Sequence, residues 1–179
     1  MKHIKKWIAV VLAAMLCMSM TACAASSKTT VETLETSSAA EDGETAVETK
    51  DPANYDDDIQ GLCKYLEDSA LTAGERVQMS YDVIGAVNGY KYAYQYNSSS
   101  VQLEVYEFST EEISETAQQV IDSVRANGSF EILDNTVPAT LSADGRYMLS
   151  YTDSKAEKEE LNKAHKEHVM ACFEAFTAE

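Results

Sequence analysis

From Ala24 to Asn54 the chain reads AASSKTTVETLETSSAAEDGETAVETKDPAN, without one aromatic residue. Ser, Thr, Ala and Glu cannot bury enough apolar surface to offset the entropy lost on ordering, so this stretch is expected to stay disordered. It divides the chain. What can fold lies beyond it, in residues 55–179, about 125 residues and enough for one compact domain. As a flexible coil the stretch would span roughly 30 Å, and its acidic side chains would extend it further.

Ahead of it, Lys2, Lys5 and Lys6 form a positive start, followed by an apolar run from Trp7 to Met20. A membrane span needs about 20 apolar residues, so this run suits a secretory signal instead. It closes on Met20, Thr21, Ala22 and Cys23. The four residues resemble the lipobox of bacterial lipoproteins, with methionine where that family most often has leucine. The resemblance covers about the first 23 residues. It implies a diacylglyceryl thioether on the Cys23 thiol, cleavage just before Cys23, and acylation, palmitate included. The expected organisation is a signal peptide over 1–22, a lipidated cysteine with an acidic tether over 23–54, and one domain over 55–179. The expected location is the extracytoplasmic face of the cell membrane, with the membrane as partner through Cys23. The domain also resembles small uncharacterised lipoprotein domains, which supplies no activity.

The chain carries 14 basic and 30 acidic residues, for a net charge of −16. Loss of the three leader lysines takes that to −19. Nucleic acid is excluded as a partner by this balance, because phosphate binding needs clustered Lys and Arg. An anionic bilayer would likewise repel the folded part. A protein or glycan at the cell surface remains the candidate partner.

Within 55–179, Ile59, Leu62, Cys63 and Leu66 recur at helical spacing, behind Asp56–Asp58, whose carboxylates suit a helix N-terminus. Thr72 and Glu75 form a capping box that predicts a second helix carrying Val77, Tyr81 and Ile84. YKYAYQY and VQLEVYEF flank NSSS and alternate with period two, as in a β-hairpin. Ser109 with Glu112 predicts a third helix ending at Asn127–Gly128. FEIL, VPATLS and RYMLSYT read as strands, the last behind an Asp144–Gly145 turn. Ser154 with Glu157 predicts a final helix. The order α-α-β-β-α-β-β-α predicts an α+β fold, with a mostly antiparallel sheet of four to five strands flanked by helices.

Three constellations bear on chemistry. Tyr90, Tyr92, Tyr94 and Tyr96 share one face of a strand. Exposed, such a row binds a sugar or an extended peptide; packed on helices, it is a structural ladder. His165, His168 and Cys172 lie on one helix face, and with Cys63 would offer zinc a Cys₂His₂ set. The outer two sit about 10 Å apart along the axis, too far for one tetrahedral ion without strain. Cys63 and Cys172 also form a candidate disulfide, worth roughly 4–5 kcal/mol by loop entropy, the alternative being two unpaired core thiols. Neither G-x-S-x-G nor a Gly-rich phosphate loop occurs, and no cofactor motif is seen. The reading is therefore a non-enzymatic binding or accessory lipoprotein. A metal-binding lipoprotein and a small envelope hydrolase are the alternatives.

Overall fold

The computed structural model describes residues 33–34 and 50–178. The expected signal peptide, Cys23 and most of the expected 23–54 tether lie outside the described residues. The fold is α+β. Helix α1 (Ile59–Asp68) starts where the Asp58 carboxylate accepts the Gly61 N–H at 2.7 Å, and it buries Ile59, Leu62, Cys63, Tyr65 and Leu66. Gly61 is required there, since a Cβ would stand 1.8 Å from the Asp56 carbonyl oxygen.

Strands β3 (Asn88–Tyr96) and β4 (Ser99–Glu107) pair antiparallel with Tyr92 opposite Leu103. Asn97 and Ser98 make the tight turn between them, both in the left-handed region (φ 45° and 57°). Strand β8 (Tyr147–Asp153) pairs with β4, and β7 (Thr140–Leu141) with β8. At the other edge, β2 (Val77–Gln78) pairs antiparallel with the start of β3 and β1 (Thr33–Leu34) pairs parallel with its end. The segment expected to be disordered thus contributes a two-residue strand. Strands β5 (Ser129–Ile132) and β6 (Asn135–Pro138) form a separate hairpin.

The alternation of the strands divides the interior into two cores. One face presents Tyr92, Tyr94, Val101, Leu103, Val105, Leu149 and Tyr151 to α1 and to α3 (Glu160–Phe176), which adds Val169, Cys172 and Phe173. The opposite face gives Tyr106 and Met148 to α2 (Glu115–Asn127), with Phe108, Val120, Ile121, Val124 and Phe130.

The second helix expected from Thr72 and Glu75 does not form. Gly74, at φ 76°, turns the chain left-handed inside the would-be first turn. Val77 and Gln78 go to the sheet edge instead, and Tyr81–Ile84 is only a short 3-10 turn. Ser109 does accept the N–H groups of Glu111 and Glu112, yet α2 begins later, capped by Ser114. Ile113, expected inside, is 46% exposed as a result. Helix α3 likewise starts beyond the Ser154–Glu157 turn.

Candidate functional site

The tyrosine row is spread from one end of the helical layer to the other. Tyr92 and Tyr94 are fully buried, while Tyr90 and Tyr96 are half-buried. The Tyr92 hydroxyl donates to Glu67 at 2.7 Å. Tyr90 accepts from Gln60 Nε2 at 2.7 Å, and the Arg76 guanidinium lies 5.2 Å over its ring. The two inner rings are core residues, leaving only Tyr90 and Tyr96 with surface to offer.

His165 is buried among that row. Its ring stacks on Tyr96 at 4.2 Å, and its Nε2 is 2.9 Å from the Tyr94 hydroxyl, which is also 2.9 Å from the Leu71 carbonyl. A carbonyl can only accept, so the phenolic proton goes to Leu71 and Nε2–H of a neutral imidazole donates to Tyr94. Burial, reinforced by His168, lowers the His165 pKa to about 4, against the pull of Asp153. Burial pushes the Asp153 carboxyl up, but bonds from Ser99, the Lys155 N–H and Asn162 outweigh it and hold the group below its ordinary value. Asn162, fully buried, also receives a bond from Asn97 at 2.7 Å. The cluster ties the β3–β4 turn and the end of β8 to α3.

His168 is only half-buried and takes no part in that cluster's bonds. Cys63 and Cys172 are both free and buried. Burial pushes the Cys63 thiol up despite Tyr92 and Arg76 beside it, whereas Cys172 lies beside Tyr65. Among the described residues, no group of three or more His, Cys, Asp or Glu side chains is placed to hold a metal ion.

A partly enclosed cavity lies elsewhere. It is a cleft of about 300 Å³, built by residues 51–57 where the chain enters the domain, by the turn leading into β8, and by the end of α3. Tyr55, Tyr147 and Phe176 wall it; Asp51, Asp57 and Asp144 stand at its rim with Arg146. Arg146 fixes the geometry. Its Nη1 donates to Asp57 Oδ2 at 2.9 Å and its Nη2 to the Asp57 carbonyl at 2.9 Å. Nη2 and Nε also reach Glu107 Oε1, at 3.1 and 3.3 Å. The guanidinium lies 4.7 Å over the Tyr147 ring, and the Tyr147 hydroxyl donates to Asp57 Oδ1 at 3.2 Å. Asp57, although 82% exposed, therefore fastens the entering chain to β8. Asp144 accepts from Ser142 and from the Arg146 N–H. These bonds keep its carboxyl below the ordinary range, although burial pushes the other way.

Sequence reasoning passed over this cleft. Asp57 was legible only as part of an acidic helix start, and Arg146 and Tyr147 only as the opening of a strand. The available signal was Arg146 itself, one of three arginines in a strongly acidic chain, directly after a turn. Its partners Asp57 and Glu107 are 89 and 39 residues away, a separation that no local pattern encodes. Comparison with known proteins gives no significant match: no protein family, no curated protein and no solved structure.

Proposed function

We propose that this is a lipid-anchored protein of the extracytoplasmic membrane face that acts by binding, with the Arg146 cleft as its binding site. The anchoring half rests on the apolar run ending in Met20-Thr21-Ala22-Cys23. The observation that carries the binding half is a cleft of about 300 Å³ that sets the half-buried rings of Tyr55 and Phe176 beside a polar cluster fixed by Arg146. Binding is favoured over catalysis because His165 and Cys63, two groups suited to act as base or nucleophile, are committed to the core. His165 is bonded to Tyr94, and the buried Cys63 thiol is held protonated. The cleft also includes Asp51 and Pro52, so a ligand would sit beside the point where the tether joins the domain.

Two measurements test the two halves. In cell fractions, the native chain is expected with the membrane and Cys23→Ala in the soluble extracytoplasmic fraction; equal membrane association of both overturns the anchor. In an NMR screen of small amines, carboxylates and sugars, shifts are expected at Tyr55, Tyr147 and Phe176. A screen in which no compound of any class shifts these residues overturns the cleft as the site.

A further inference from the structure

The geometry points to an alkylammonium group, –NH₃⁺ on an apolar stem, as the ligand of the Arg146 cleft; this rests on the reading of the cleft as the binding site. Arg146 would ordinarily suggest an anion. Here four of its five N–H donors are already taken by Asp57 and Glu107, so an incoming carboxylate would find one N–H and two competing carboxylates. The other charged residues that line the cleft, Asp51, Asp57 and Asp144, are acidic, with Lys50 and Arg125 close by but outside the lining. The Oδ1 atoms of Asp51 and Asp144 cap local turns, and their Oδ2 atoms are not part of those caps.

Three features besides the rim favour a cation. The cleft is closed by the C-terminal end of α3, the negative end of a 17-residue helix with no basic residue in its last turn. Its lining includes the half-buried rings of Tyr55 and Phe176, and aromatic rings attract cations and cover methylene stems. Arg146 over Tyr147 is the chain's own example, and Tyr55 and Phe176 are left half-buried opposite it. Behind them the fully buried Tyr65 stacks on Phe176 and meets Tyr55 edge-on. Its hydroxyl is buried beside the Cys172 thiol. About 300 Å³ suits an amine with a short stem and is too small for a folded segment.

A free diamine and a lysine side chain of a neighbouring protein carry the same chemistry. The test uses the full exported chain in detergent micelles, titrated with 1,5-diaminopentane, N-acetyl-lysine amide, glutarate and glucose, and followed by NMR and calorimetry. Shifts at Tyr55 and Phe176 with either amine are expected, weakening as salt rises. The paired change Asp51→Asn and Asp144→Asn keeps an oxygen for each cap, and is expected to weaken amine binding roughly tenfold. The same change of charge at the remote hairpin, Glu131→Gln with Asp134→Asn, should leave it unaltered. Binding of the lysine amide alone identifies a protein side chain, and binding of the diamine alone a free amine. Shifts with glutarate or glucose but with neither amine overturn the alkylammonium assignment and leave the cleft as a binding site. Silence with all four overturns both.

Discussion

His165 shows how far a residue's chemistry is set by its neighbours. Protonation would place a charge among Tyr94, Tyr96 and Tyr151, with His168 adding repulsion and only Asp153 opposing it. The unfolded chain takes up this proton near pH 6.5, whereas the native ring holds out to about 4. Between those values the unfolded state binds more protons, so stability is full above about 6.5 and falls as the pH drops toward 4. The loss amounts to about 3 kcal/mol over that window. Urea unfolding at pH 7.5 and pH 4 should show a smaller decline for His165→Gln than for the native chain. An equal decline in both would mean that His165 is not the buried neutral base described here. The sequence shows His165, His168 and Cys172 on one face; it does not show Tyr94, 71 residues away, which makes His165 a core residue.

The strongly periodic elements were legible: the inner stripe of α1, the alternation of β3 and β4, and the NSSS and Asp144–Gly145 turns. Element starts were less so. A Ser or Thr with a Glu three residues on can close a turn without opening a helix, as Ser109 does, and Gly74 cancels the signal of Thr72 and Glu75. The β5–β6 turn breaks a local rule more sharply. Leu133 has φ 47° and is 86% exposed, a left-handed backbone with no burial to offset it. Leu133→Asn should therefore raise stability by about 1 kcal/mol, seen as a higher urea midpoint with unchanged slope. A lower midpoint would mean that the leucine side chain makes contacts beyond those of the turn.

Taken whole, the domain is one sheet with a core on each face, α1 and α3 on one side and α2 with the β5–β6 hairpin on the other. The α+β class follows from patterning that recurs along the chain. The cleft does not, because it is assembled from three distant segments: the entry to the domain, the turn before β8 and the end of α3. Strand β1 was hidden for a similar reason, since Thr33–Leu34 looks no different from the Ser/Thr/Glu run around it and pairs with the edge of β3, 62 residues away in sequence. The membrane attachment proposed above would depend on a single atom, the Cys23 sulfur. The most direct test is the mass of the N-terminal peptide of the protein extracted from membranes. The account predicts a peptide that begins at Cys23 and carries a diacylglyceryl thioether. A terminus at any other residue, or an unmodified Cys23, would contradict it.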